Sequence, residues 1–378
     1  MFICCYLRAK GLSKTNFEMP VNLDDVIRIR EIDSSGSILA TENYDSQFRD
    51  ALDLGEAFDV GKSKKNIHEI VILGTGGGSA LVGGLLRSYL YGQLNQPVII
   101  CQGYNIPAFI DEDSLVFVIS HSGNTEEILS MYNQARDRGA NLISITSGGE
   151  LLARSKQDNV RCLIVPIDIG HPRRDLGYLF VPALVMLHKL GLVGDKTTEL
   201  EEVIRLFTVL KEKYKPEVPF KDNIAKQIAY KLEGRIPLIY GSLDFYDAVA
   251  WRWKNQFGEN SKLMSFYNVI PNLHHDEVAG WDAPPEILQQ FHFIMLRDSE
   301  VDQENIKKRK DITVDILKRR HVGITEVEAE GTCHLARMFS LIYLGDFVTL
   351  YTPICRGVDP TPVDVINLFK KEMSKWSK

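Results

Sequence analysis

The chain has 378 residues, 44% apolar and 25% charged, the proportions of an ordinary globular protein, so disordered, collagen-like and membrane-embedded classes are disfavoured and two domains of ~100–200 residues are expected. A net charge of −6 offers no basic footprint for nucleic acid or anionic lipid, leaving only local clusters of Arg and Lys to hold a small phosphate. Six cysteines at 4, 5, 101, 162, 333 and 355 lack CxxC spacing, no apolar run nears the ~20 residues that span a bilayer, and the opening Phe2–Leu7 is too short for a signal peptide, so a cytoplasmic protein without membrane or nucleic-acid partners is expected.

Met19 begins a more ordinary amino terminus, so residues 1–18 read as an over-extended start inside an N-terminal extension and leading segment spanning 1–50. From residue 67 short apolar runs alternate with helical periodicity, the pattern of an α/β protein with a parallel sheet covered by helices. Strands are expected at Ile67–Leu73, Pro97–Gln102, Leu115–Ser120, Asn141–Thr146 and Arg161–Ile167, with helices near 79–91, 124–138 and 174–190, which together fill a first domain over 51–195. Thr197–Tyr214, rich in Glu, Leu and Lys, reads as a helix within a connecting segment over 196–222.

A second round fills 223–378. Ile236–Ser242 and a helix from about 246 echo Glu69–Thr75 and its helix, a weak internal duplication that predicts two similar lobes. Strands at Phe291–Leu296 and Val322–Val327 alternate with helices near 302–319 and 333–350. Thr361 then reads as the N-cap, and Pro362 as the first residue, of a last helix reaching toward 377. The runs Lys62–Lys65 and Lys307–Lys310 read as solvated faces, and Trp251, Trp253 and Phe257 as core residues of a helical segment.

The sharpest local signal is Ser120-His121-Ser122-Gly123-Asn124-Thr125-Glu126-Glu127, between a buried strand and an amphipathic helix. Hydroxyls at 120, 122 and 125, with free backbone N–H groups at a helix start, form an anion site that needs no metal. The alternative is a Ser/Asn helix cap with nothing bound. Gly74-Thr75-Gly76-Gly77-Gly78-Ser79 matches a dinucleotide fingerprint poorly, because Ser79 stands at the third glycine and no acid follows the next strand. It reads either as a turn pressing its N–H groups against a sugar or its phosphate, or as a tight strand-to-helix turn.

These loops resemble those of the sugar isomerase (SIS) domain, whose members hold phosphosugars in a Ser-x-Ser-Gly-x-Thr loop. Further motifs narrow the resemblance to the bifunctional phosphoglucose/phosphomannose isomerases: Arg252-Trp253-Lys254-Asn255-Gln256-Phe257-Gly258-Glu259-Asn260-Ser261-Lys262, Tyr267-Asn268-Val269-Ile270-Pro271, His274-His275-Asp276-Glu277-Val278-Ala279-Gly280-Trp281, Leu344-Gly345-Asp346 and Asp359-Pro360-Thr361-Pro362-Val363. The resemblance implies two SIS-type doubly wound domains, each a mainly parallel sheet flanked by helices, and an aldose–ketose isomerase acting on hexose 6-phosphates without cofactor or metal.

Proton transfer through an enediolate calls for a base, a ring-opening group and a cation beside the developing oxyanion. By motif position the resemblance makes Glu259 the base, His275 the ring-opening acid/base and Arg173 the enediolate stabiliser. Ser120, Ser122 and Thr125 would hold the phosphate, with Gly77, Gly78 and Ser79 against the sugar, and Lys370 (or its neighbour Lys371) would assist ring opening. It further implies a homodimer in which His275 is supplied across subunits. The residues themselves leave other readings open: Glu259 as a solvated helix end, His274–Glu277 as a helix start or metal corner, and Arg173 and Arg174 as an exposed pair of which only one points inward. His121, Gly258, His274 and Asp276 depart from the family's usual Tyr, Asn and paired Asn, and Arg174-Asp175 replace its small residues. A non-catalytic phosphosugar-binding module and an aminosugar-phosphate isomerase are the alternative functions.

Overall fold

A computed structural model describes residues 21–61, 66–166 and 172–375. The opening Phe2–Leu7, Met19, the Lys62–Lys65 run and Ile167 lie outside the described residues. Three helices not anticipated from the sequence lead the described chain: α1 (Val26–Ile32), α2 (Ser37–Glu42) and α3 (Tyr44–Ala57). They are short or carry few apolar residues, so their periodicity is weak.

The first sheet is all parallel, in the order β2-β1-β3-β4-β5, with β1 (Glu69–Leu73), β2 (Val98–Cys101), β3 (Ser114–Ile119), β4 (Asn141–Thr146) and β5 (Arg161–Ile164). A π turn over Gly76–Ala80 leads into α4 (Leu81–Tyr89), and α5 (Glu126–Asp137), α6 (Gly149–Gln157) and α7 (Leu176–Lys189) complete this lobe. The connecting α8 (Thr197–Tyr214) has the expected bounds. The second lobe runs α9 (Ile224–Lys231), β6 (Ile236–Ser242), α10 (Asp247–Glu259), β7 (Phe266–Ile270), α11 (Pro285–Leu288), β8 (Phe291–Arg297), α12 (Glu304–Arg319), β9 (Gly323–Glu328), α13 (His334–Ile354) and α14 (Asp364–Met373). Its sheet is again parallel, in the order β7-β6-β8-β9, so two parallel sheets flanked by helices repeat the same β-α plan.

Period-2 alternation sorts the strand side chains. Ile70 and Ile72 face α4 and α7, whereas Val71 and Leu73 face α5, so both sides of the sheet are covered. The larger apolar cluster continues through α7, α10 and α13 to Ile239 and Ile294, joining the lobes in one core. Nearly every side chain of α7 and α13 is buried, as their all-round apolar sequences require. Trp253 and Phe257 are wholly buried, and Trp251 packs at the edge of the cluster. Among the described residues no helix is long and apolar enough to cross a membrane.

Two local expectations need correction. Lys310 is fully buried, its ammonium donating to Leu296 O at 2.7 Å and paired with Asp302, so Lys307–Lys310 is not uniformly solvated. The last helix begins at Asp364 after Val363, not at Pro362, because the Thr361 hydroxyl is hydrogen-bonded to Ser37 and its N–H donates to Asp359 Oδ1 at 2.8 Å.

Candidate active site

The 2-1-3-4-5 strand order has its switch point between β1 and β3, whose following helices cover opposite faces. In such sheets ligands bind at this switch point, beyond the carboxyl ends of the strands. The turn Gly74–Ala80 and the loop Ser120–Thr125 both emerge at that edge.

Ser120 Oγ, only 3% exposed as a residue, accepts from Gly123 N at 3.1 Å and lies 3.1 Å from Thr125 Oγ1. Ser122 Oγ accepts from Asn124 N at 3.3 Å, and Thr125 caps α5 without a side-chain cap bond. The loop thus presents hydroxyls and helix N–H groups together, the donor set of an oxyanion site. Gly123 has φ of 66°, and a Cβ there would stand 1.9 Å from Gly148 O. Gly123→Ala is expected to cost about 1–3 kcal/mol of stability in denaturant unfolding and to weaken binding of inorganic phosphate.

His121, the residue between the two serines, pairs through Nε2 with the buried Asp175 Oδ2 at 2.7 Å. That pair ties the hydroxyl loop to the turn Pro172–Arg174. Both arginines of the turn are buried, Arg173 to 9% exposure and Arg174 to 1%, which overturns the expectation that only one points inward. Arg173 donates from Nη1 to Glu259 O at 3.0 Å and from Nη2 to Thr361 O at 2.7 Å. Its Nε is buried without a hydrogen-bond partner among the described residues and faces Glu259 Oε2 at 3.9 Å. Burial and the neighbouring Arg174 push the guanidinium down to about 10, so it stays cationic at neutral pH.

Glu259 ends α10 with its side chain 26% exposed, so it is not a fully solvated helix end. A Cβ on Gly77 would lie 3.0 Å from Glu259 Oε1: the carboxylate of the second lobe reaches the glycine turn of the first. Gly77 therefore lies between Glu259 and the sheet edge, whereas a Cβ on Gly78 would meet Leu179 at 3.9 Å and Ser79 is buried. Asn255, one turn earlier on the same helix face, has a buried Nδ2 without a partner among the described residues, 3.5 Å from that Gly77 position.

Sequence reasoning assigned no role to the hub beneath these groups. Arg252 and Asp346, 1% and 2% exposed in their side chains, pair at 2.8 Å. Arg252 also donates to Arg173 O at 3.0 Å and approaches Gly77 O at 3.4 Å, so one guanidinium holds the main chain behind both the cation and the glycine turn. Both residues stood inside motifs, but only their distant contacts reveal the function.

His275 is not brought to this cluster within one chain. It is exposed at the end of the turn Asn272–His275, with no hydrogen bond or ion pair to Glu259 or Arg173 among the described residues. Its segment is anchored by Glu277, which accepts from Tyr240 OH and from Asn268 Nδ2 at 2.7 Å. His274 packs the other way: Arg309 donates to Nδ1 at 3.2 Å, and Nε2 lies 2.8 Å from Thr313 Oγ1. Burial and Arg309 lower its basicity, favouring the neutral ring whose Nε2–H donates to Thr313. Lys370 and Lys371 lie on α14, none of whose residues is buried.

The equivalent switch point of the second sheet, between β6 and β8, is filled by protein. Ser242 bonds to Asp302, Tyr246 and Arg337 bond to Asp298, and Lys310 pairs with Asp302. Among the described residues no group of three His, Cys, Asp or Glu side chains is placed to hold a metal ion.

The model of the SIS domain matches residues 66–175, and that of the bacterial phospho-glucose isomerase C-terminal SIS domain matches 221–373. A bifunctional phosphoglucose/phosphomannose isomerase of Caldicellulosiruptor bescii is 40% identical over 333 residues, covering 88% of this chain and 97% of its own. That of Aquifex aeolicus is 36% identical, covering 84% and 94%. Among solved structures a hypothetical protein from Thermus thermophilus superposes with a TM-score of 0.69 at 14% identity, covering 92% and 93%, which speaks to the fold alone.

Proposed function

The chain belongs to the family of bifunctional phosphoglucose/phosphomannose isomerases, and we propose on that premise that it interconverts glucose 6-phosphate and mannose 6-phosphate with fructose 6-phosphate through an enediolate, with Glu259 as the base. The observation that carries the site assignment is the Glu259 carboxylate against Gly77, facing the unpartnered Nε of Arg173. Ser120, Ser122, Thr125 and the α5 N–H groups take the phosphate. Gly77, Gly78 and Ser79 flank the open-chain sugar. Glu259 lifts the proton from C2 of either aldose and returns it to C1, and charge growing on the enediolate oxygen meets a buried, fixed cation in Arg173, where it is stabilised more than it would be in water.

Ring opening falls to His275 of a second copy, assisted by Lys370. The exposure of His275 supports this reading, as does the bare apolar row Val365, Leu368 and Phe369 on α14, exposed by 80%, 56% and 66%, which a homodimer would cover. The division into 51–195 and 223–378, bridged by 196–222, and a cytoplasmic setting belong to the same proposal.

The test is direct. Fructose 6-phosphate should form from both aldose phosphates at rates unchanged by a chelator; no turnover with either would reject the function. Faster turnover of glucosamine 6-phosphate than of both hexose phosphates would favour the aminosugar alternative.

A further inference from the structure

Lys262 lies three residues beyond the proposed base and has no role in the mechanism above. Its backbone is left-handed, with φ of 55°, which reverses the chain at the end of α10 and swings the side chain back over the helix terminus. There the ammonium donates to three main-chain carbonyls: Glu259 O at 2.7 Å, Asn260 O at 3.2 Å and Pro360 O at 2.6 Å. Two belong to the last residue of α10 and to its C-cap, where the helix dipole favours a cation. The third belongs to the turn that precedes α14. Arg173 spans the same gap from the other side, bonding Glu259 O and Thr361 O. Two cations thus share one carbonyl of the base and adjacent carbonyls of the 360–361 turn.

We propose that Lys262 is a positioning residue for the isomerisation: with Arg173 it clamps the α10 terminus to the 360–361 turn, fixing both the Glu259 carboxylate and the launch point of the helix that carries Lys370. The proposal rests on Glu259 being the base. A single clamp arm would leave the carboxylate free to pivot about the end of its helix. Proton transfer is sensitive to such freedom, since an error of about 1 Å in placement can cost on the order of 100-fold in rate.

The clamp carries a built-in pH limit. Three carbonyls need three donors, which an ammonium has and a neutral amine lacks; on deprotonation one carbonyl would face a nitrogen lone pair. Burial, with Arg173 and Arg174 nearby, pulls Lys262 down to about 8, against the opposing pull of Asp359 and Glu259. The charged form, and with it the full clamp, is therefore present at neutral pH and is lost as the pH rises through that value.

The test compares Lys262→Met and Lys262→Arg with the unaltered enzyme in fructose 6-phosphate formation across pH 6–10. Lys262→Met is expected to lower kcat roughly 10–100-fold while KM stays within about threefold, and to abolish the alkaline limb. Lys262→Arg, whose guanidinium does not titrate in this range, should recover most of kcat and move the alkaline limb upward by about one pH unit or more. Thermal unfolding of both variants separates loss of fold from loss of placement; if one does not fold, the other decides. Unchanged kcat with an unmoved alkaline limb in the folded variants would overturn the proposal. Full activity of Glu259→Gln would instead remove the base on which it rests, and the two failures are distinguishable.

Discussion

Glu259→Gln is expected to lower kcat for glucose 6-phosphate and mannose 6-phosphate by roughly 10²–10⁴-fold, the range for removal of a general base, with KM changed by no more than about threefold. The substitution keeps the shape of the side chain and its contact with the Gly77 turn, but an amide cannot accept the substrate proton. Phosphate binding should survive because its donors, on Ser120–Thr125, sit on the other lobe and are held by hydrogen bonds within their own loop. The main-chain carbonyl of residue 259, which anchors Arg173 and Lys262, is untouched by the change. Steady-state kinetics and exchange of solvent deuterium into C2 of the aldose should fall together. Activity above a tenth of the original, with exchange intact, would show that another group moves the proton.

That this residue was legible in the sequence at all depended on its motif, not on its local pattern. Helix periodicity marks where α10 lies, and Glu259 as its last residue is indistinguishable by pattern from a solvated end. The buried strands and the connecting helix were easier: Ile236–Ser242 and Thr197–Tyr214 carry dense apolar repeats that tertiary packing then uses without alteration. The strand Phe266–Ile270 escaped because it is an edge strand whose first two residues stay exposed, so it lacks the continuous apolar run of its neighbours. Arg174 and Lys310 defeated the rule that charges face water. Lys310 finds Asp302 and Leu296 O, partners that no local window reveals.

The same limit applies to the site. The hydroxyl loop was readable because strand, loop and helix are contiguous, and the fold delivers such a loop to the sheet edge whatever the remaining sequence does. The contact between Gly77 and Glu259, and the bond from Lys262 to Pro360, join residues far apart in the chain and exist only once the two lobes close on a common core. His275 goes a step further, since a second copy is proposed to supply it.

Asp346→Asn should be the most destabilising single change around the site, by about 3–5 kcal/mol, the usual cost of breaking a buried ion pair by removing one partner. Asp346 accepts from Arg252 Nε at 3.1 Å and Nη2 at 2.8 Å, from Tyr44 OH at 2.7 Å and from Gln256 Nε2 at 3.0 Å. An asparagine would retain one oxygen for four donors and turn an NH2 group toward others, leaving Arg252 charged, 1% exposed and underpaired. Because Arg252 also holds Arg173 O and Gly77 O, its displacement should shift the cation and the glycine turn together, so activity should fall even at temperatures where the variant is folded. The double variant Arg252→Met, Asp346→Leu should be less destabilised than the sum of the two single changes, since no buried charge then remains without its partner. Denaturant unfolding of Arg252→Met, Asp346→Leu and the double variant measures that coupling. A loss below about 1 kcal/mol for Asp346→Asn, or additive losses in the cycle, would show that the pair contributes little and that apolar packing between α10 and α13 alone holds the lobes in register.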